Sequence, residues 1–463
     1  MDENTSLRKH TLISAIMASF LTPFMGSAVN LAIPNIGLEF DAGATLLSWT
    51  VSSYLLITAA LLLPFGRLAD MVGRKKVFVT GLAVFTLGSL LSAAAWSIES
   101  LIVFRLLQGS GGAMIFGTSM AILTSVFPPQ ERGKALGYNL AAVYTGLSLG
   151  PVLGGVLNHQ MGWRSIYYFI VLLGAAAFVV TLTKLKGEWL GAAGERFDST
   201  GTVLYIVGLV AVLYGFSTIA TSVWAKYILV LGLVLMVLFV RHEIRAQHPI
   251  LNMKLFKNVG FAFSNLAALI NYSATFAVGF LLSLHLQVVM GINSQTAGLI
   301  LLAQPVIMAL LSPFTGRLSD RVEPRVVASW GMGLTTLGLF ILVFISRSTP
   351  VWLIILNLAL LGTGFALFSS PNSNAIMGSV EKRFYGVASS TLGTMRLVGQ
   401  AVSMAVATLF IDLYVGTAGL SPAYADQIVA SVKVSFMVFA VTCLFGIYAS
   451  LARGEINTGA ERG

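Results

Sequence analysis

The sequence predicts an all-α polytopic membrane protein of fourteen transmembrane helices: two six-helix bundles related by a parallel repeat, plus two inserted helices. Three observations point to this fold. Of 463 residues, 56% are hydrophobic and only 10% charged, against roughly 25% charged in a soluble domain. Apolar runs of the ~20 residues a spanning helix needs fill almost the whole chain, and mean hydropathy is +0.86. Finally, GRLADMVGRKKV at 66–77 returns as GRLSDRVEPRVV at 316–327, which a parallel duplication would produce.

In order along the chain, the expected spans are 12–34, 45–65, 77–97, 101–126, 135–157, 165–184, 200–220, 225–242, 260–290, 295–315, 326–346, 351–377, 385–411 and 431–452. The first follows Arg8-Lys9-His10 but exceeds signal-peptide length and lacks a small-residue cleavage pattern, so it reads as a retained helix. With the N-terminus cytoplasmic, only Arg164, Lys226, Arg347 and Lys433 of the 28 Lys and Arg fall outside, and Arg105 and Arg396 fall within helices. That positive-inside bias puts both termini in the cytoplasm. The +10 charge therefore marks topology, and no nucleic-acid partner is expected. The repeat assigns residues 1–184 to the first bundle, 185–257 to a linker carrying helices 7 and 8, and 258–463 to the second bundle. Cys443 stands alone, so neither a disulfide nor a metal cluster is expected. No G-x-x-x-x-G-K-[ST] is present, which excludes an ATP-driven pump within this chain, and no catalytic set is visible.

Each motif has a physical reading. Gly66 and Gly73 bracket a tight turn, and Asp70 sits amid Arg67, Arg74, Lys75 and Lys76. Such a cluster suits a charge latch at the membrane edge; the alternative is a topological anchor. In the second copy Glu323-Pro324 replaces Gly-Arg, leaving Asp320 and Arg325 as a weaker pair. Gly146, Gly150, Gly154 and Gly155, with Pro151, put small residues a turn apart and remove one donor, which favours close packing and a local bend. Arginine within a span costs about 2.5–3.5 kcal/mol on insertion scales and usually faces a cavity. Arg105 shares a face with Gln108, Gly112 and Phe116, and Arg396 with Gln400 and Ser403. The alternatives are snorkelling for Arg105 and a buried structural pairing for Arg396.

These segments together resemble the major facilitator superfamily, and within it the fourteen-spanner drug:proton antiporter branch. GRLADMVGRKK is similar to the superfamily's signature loop, LIVFRLLQGSGGA at 101–113 to its fourth-helix motif, and GLSLGPVLGG at 146–155 to the antiporter motif of the fifth helix. FDSTG at 197–201, LFKNVGFAFSN at 255–265 and LQVVMGINSQTAGL at 286–299 resemble the branch. The resemblance implies a latch role for Asp70 and Arg74, a seal at 146–155, and a cavity lined by helices 1, 4, 9 and 12. That cavity would use Met25 and Asn30; Arg105, Gln108 and Phe116; Asn271, Tyr272 and Phe276; and Asn357, with Arg396 and Gln400 facing it from helix 13. One departure stands out: where relatives carry an Asp in L-D-x-T-x-V-N-x-A-x-P, this chain reads FMGSAVNLAIP with Met25 at the acid's place.

The expectation is an inner-membrane secondary transporter, not an enzyme, without cofactor, that exports amphiphilic organic compounds or drugs as a monomer. Proton antiport is implied by the resemblance alone. With no carboxylate at mid-membrane, neutral or anionic substrates fit better than lipophilic cations. The protonatable candidates are Asp70, Asp320, Glu39, Asp412 and His285. The alternative is an uptake permease or facilitator for an organic anion clamped by Arg105 and Arg396.

Overall fold

The computed structural model describes residues 3–192, 194–220, 222–319, 322–381, 385–416 and 419–454, with side chains omitted at 3–5, 129, 130, 132–134, 140, 385 and 386. Asp320 lies outside the described residues, and so does the pairing expected of it with Arg325. Among the described residues fourteen helices are long and apolar enough to span a membrane. We number them α1 Ser6–Leu31, α2 Ala44–Val72, α3 Arg74–Ala93, α4 Ile98–Val126, α5 Ala135–Met161, α6 Arg164–Lys184 and α7 Ser199–Ser217. The rest are α8 Ala225–Arg245, α9 Val259–Val289, α10 Ser294–Ser319, α11 Pro324–Leu342, α12 Val351–Gly378, α13 Val387–Tyr414 and α14 Pro422–Ala452. No strand is present among the described residues, only an isolated bridge between Gly43 and Gly419.

Local chemistry sets the helix ends. Ser97 and Ser100 form a reciprocal capping box at the start of α4, and Asn258 and Asn293 cap α9 and α10. Two boundaries differ from those expected. The first helix begins well before residue 12, because Arg8 reaches Glu131 and draws the basic segment onto the bundle. The last begins before residue 431, since Pro422 opens a 3₁₀ turn and helix runs from Ala425. Pro suits a first turn, where its missing N–H costs nothing, so 425–430 is helix and not loop.

Close glycine contacts hold the bundles together and make the duplication visible in three dimensions. A Cβ at Gly81 of α3 would sit 2.6 Å from Met114 Cβ and 3.1 Å from Gly111 O of α4. A Cβ at Gly331 of α11, 250 positions later, would sit 2.6 Å from Gly364 O and Phe368 N of α12. Gly88 and Gly338 repeat the arrangement one step on, against Gln108 N at 2.6 Å and Leu361 Cδ2 at 2.7 Å. Lipid offers no hydrophobic gain for helix association, so dispersion and backbone proximity through small residues supply it.

The inserted pair α7–α8 packs through Gly208, Gly215 and Gly232. It docks on α2, where Tyr205 Oη donates to Ala59 O at 3.0 Å and Trp49 meets Tyr214 at 5.5 Å between centroids. Its outer face presents Tyr227, Val230, Leu231, Val234 and Val237, exposed as a lipid-facing surface would be.

Gly81→Val and Gly331→Val should each lower the thermal unfolding midpoint of the detergent-solubilised protein, by roughly the 1–3 kcal/mol of an overpacked core. Gly333, where a Cβ meets nothing within 4 Å, is the control: Gly333→Ala should leave the midpoint unchanged or raised.

Candidate functional site

The end of the bundle that carries Arg67 to Lys76 is here called the basic end and the opposite one the far end. At the far end the two halves meet closely. Thr45 Oγ1 donates to Asp412 Oδ1 at 2.5 Å, Ser52 and Thr408 hydroxyls lie 3.3 Å apart, and Ser283 Oγ donates to Asn30 O at 2.7 Å. The small-residue segment of α5 works on two faces. A Cβ at Gly146 would lie 2.5 Å from Phe20 O, and one at Gly154 would lie 2.8 Å from Ala28 Cα; Gly150 likewise abuts Ser27, so all three press on α1. On the other face, a Cβ at Gly155 would lie 2.5 Å from Ser294 O, and one at Gly298 would overlap Pro151 O. The carbonyl of Gly155 accepts from Ser294 Oγ at 3.2 Å. Thus α5 touches both halves where side chains larger than hydrogen do not fit.

Midway along the bundle the halves meet around Arg396. Its guanidinium carbon stands 5.5 Å from the Phe116 ring of α4 and 6.0 Å from the Tyr272 ring of α9. Among the described residues it has no hydrogen bond or ion pair, and it is only half-buried. Tyr272 packs edge-on against Phe365 at 5.5 Å, and Tyr144 Oη of α5 lies 3.4 Å from Ser369 Oγ of α12. Asn271, next to Tyr272, is fully buried with neither end of its amide bonded. Aromatic faces and an unneutralised guanidinium converge here, and among the described residues no carboxylate joins them. A cation over an aromatic face gains about 0.5–2 kcal/mol, which offsets part of the arginine's cost at this depth.

Arg105 lies elsewhere. It is 0% exposed, does not snorkel, and bonds within the first half: Nε donates to Thr50 O at 3.0 Å and Nη1 to Gln108 Oε1 at 2.5 Å. Gln108 Nε2 passes the chain to Ser89 Oγ at 2.7 Å, and the Tyr54 ring lies 4.5 Å beneath the guanidinium. Asn357 occupies a comparable place in the second half, donating to Gly338 O at 3.0 Å. Met25 is fully buried, Asn30 nearly so, and Phe276 and Gln400 are intermediate. The structure therefore gathers Phe116, Tyr272 and Arg396 and separates Arg105, Gln108 and Asn357 from them. Tyr144 and Phe365 escaped the sequence reading because aromatic residues on apolar helices give no signal distinguishing a cavity from a core.

At the basic end Asp70 pairs with Arg74, whose Nε lies 2.7 Å from Oδ1, and Arg74 Nη1 also donates to Ser125 Oγ at 2.5 Å. The linker covers this loop. Glu188 accepts from the Lys75 and Lys76 N–H groups at 2.8 and 3.2 Å, Trp189 O accepts from Arg74 N at 3.0 Å, and Asp70 O accepts from Gly191 N and Ala192 N, both at 2.9 Å. Gly73, at φ +122°, makes the turn and leaves room for the Glu188 carboxylate. Glu188 thereby binds the positive N-terminal end of α3. Arg67 pairs with Glu195, which His248 also meets at 2.8 Å. Burial alone would raise the Glu195 carboxyl, but Arg67 and His248 hold it below its ordinary value. In the second copy Arg325 Nε meets Glu323 Oε1 at 2.8 Å.

A family model described as Major Facilitator Superfamily matches residues 15–240 and 265–461. Among characterised relatives, the multidrug resistance protein Stp of Mycobacterium tuberculosis is 32% identical over 86% of this chain and 74% of its own length. The cephamycin export protein CmcT of Amycolatopsis lactamdurans is 31% identical over 97% and 94%. The riboflavin transporter RibZ of Clostridioides difficile is 27% identical over 94% and 95%. Among solved structures, a bacterial homologue of the human lysosomal transporter Spinster superposes with a TM-score of 0.72 at 12% identity, covering 98% of this chain and 97% of that one; this likeness concerns the fold.

The two arginines should separate on substitution. Arg105→Ala breaks charge-assisted bonds in a buried network and should cost about 2 kcal/mol. Arg396→Ala removes no hydrogen bond and should leave stability within about 0.5 kcal/mol. Thermal unfolding of the purified variants reads both.

Proposed function

The chain belongs to the Major Facilitator Superfamily, and on that premise we propose that it exports amphiphilic organic compounds across the cytoplasmic membrane, neutral or anionic in preference to cationic, by proton antiport. The observation that carries the substrate class is Arg396, set between rings from opposite halves with no counter-charge among the described residues. An anionic group would pair with that guanidinium while a flat apolar body lay along Phe116 and Tyr272. A lipophilic cation would be repelled by that guanidinium, which has no carboxylate beside it among the described residues. The export relatives Stp and CmcT support the direction.

Alternating access follows from the two ends. The far-end contacts of α5 with α10 and of α2 with α13 make a closed gate, and the halves exchange it for closure at the basic end. Asp70 and Arg74 serve as the latch there, with Gly66 and Gly73 allowing close approach. The 146–155 segment limits leak by sealing the far end. Protein acts as a monomer in the bacterial inner membrane, with the basic end and both termini cytoplasmic by the distribution of Lys and Arg. Uptake of an organic anion is the second reading, favoured by the same unpaired guanidinium.

Inverted vesicles with an imposed proton gradient test this, using an anionic and a cationic dye of matched size. Accumulation of the anionic or neutral dye is expected, abolished by collapse of the gradient and reduced at least about tenfold in Arg396→Ala, as loss of a charge-assisted bond of about 1.5–3 kcal/mol implies. Efficient transport of the cation by wild type, with Arg396→Ala indistinguishable from it, refutes the substrate class. Anion movement in the opposite sense establishes uptake.

A further inference from the structure

The inserted helices carry polar chemistry that the transport site does not use. Asp198 caps the start of α7, accepting from Gly201 N at 2.9 Å. From α8, His242 Nε2 lies 2.9 Å from both oxygens of Asp198. The next residue, Glu243, is 2% exposed. One of its oxygens, Oε2, accepts from Leu251 N at 2.8 Å, whereas Oε1 is buried with no hydrogen-bond partner. That oxygen shares a space with Asp198: a Cβ built on Gly201 would lie 2.5 Å from Glu243 Oε1 and 2.5 Å from Asp198 Oδ2, and the two side chains are within interaction range. Two carboxylates thus line one small space with no donor between them.

Neighbouring charges do not resolve this. Asp198 and His242 are the charged or titratable groups that interact with Glu243. Arg241 and Arg245 of α8 and Lys254 and Lys257 of the following turn are exposed. His248 and Arg67 are engaged by Glu195. From α2, Asp70 is engaged by Arg74, and the charged groups of α13, Arg396 and Asp412, lie at mid-bundle and at the far end. His242 can neutralise one carboxylate, and a buried second one without a cation or a donor is costly.

We propose that Asp198 and Glu243 form a proton-binding site at the basic end of the inserted helices, a proton on Glu243 Oε1 being donated to Asp198 Oδ2. The proton comes from water at that end, where the His242 ring is partly exposed. It fastens the start of α7 to the end of α8; the bond from Leu251 N to Oε2 ties the segment that leads into the second half to the same side chain and does not depend on the proton. Loss of the proton sets two negative charges against each other. The fastening is therefore present when Glu243 is neutral and weakens as pH rises. This site is independent of the substrate reading above.

The test uses the full-length purified protein in lipid nanodiscs, with infrared spectroscopy of the protonated-carboxyl C=O band and thermal unfolding from mildly acidic to alkaline pH. Wild type should show a carboxyl band at neutral pH that is lost on alkalinisation. Glu243→Gln, whose amide still donates to Asp198, should lack that band, and its unfolding midpoint should fall less steeply with pH. His242→Gln should retain the band. Asp198→Asn keeps the helix cap, removes the repulsion, and should also flatten the pH profile. The proposal is overturned if wild type and Glu243→Gln show the same band and the same slope. It is equally overturned if both neutral variants fail to fold, because a site that already holds a proton tolerates a neutral amide.

Discussion

Hydrocarbon cannot hydrogen-bond a peptide group, so each spanning segment must satisfy its backbone internally as helix, and helix association must come from contact. The glycine seams follow from that constraint. Gly81 and Gly88 on α3, and their counterparts Gly331 and Gly338 on α11, bring backbones together with α4 and α12 where a single methyl group would intrude. The same device appears between the halves, where Gly155 and Gly298 let α5 and α10 approach through Ser294 and Pro151. Packing within a half and contact between halves thus use one kind of surface. They differ in what surrounds it, since the seams within halves are continuous with the core while the α5–α10 contact sits at one end.

The same constraint sorts the polar side chains. A guanidinium in a low-dielectric interior must find acceptors or a π face. Arg105 finds Thr50 O, Gln108 and the Tyr54 ring, and so becomes part of the first half's scaffold. Arg396 finds only rings, one from each half, and keeps its hydrogen-bonding capacity for something else. Two arginines of similar sequence context therefore differ in kind: one is consumed by structure and the other is left available at the interface.

At the basic end, electrostatics of helix termini add a third layer. Glu188 binds the amides that open α3, and Asp70 O receives two linker amides. The loop between α2 and α3 is thereby tied to the linker as well as to its own Arg74. The segment leading to α7 is thus held against this loop by main-chain hydrogen bonds.

The sequence by itself determined the spanning helices, the duplication and the family, because helix length, hydropathy and the 250-residue repeat are local or periodic properties that any later packing must respect. It also identified Arg396, Phe116 and Tyr272 as polar or aromatic groups on apolar helices. Helical periodicity says which residues share a face but not which neighbour that face meets, so the sequence treated Arg105 and Arg396 as equivalent cavity residues. Only tertiary structure decided that Arg105 and Gln108 close on Ser89 and Thr50, and that Tyr144 and Phe365 stand near the interface. It alone joined Glu188 to the α3 terminus and Glu243 to Asp198, residues separated by 45 positions. Such pairings depend on the crossing of helices fixed by glycine contacts far along the chain, and no local signal encodes them.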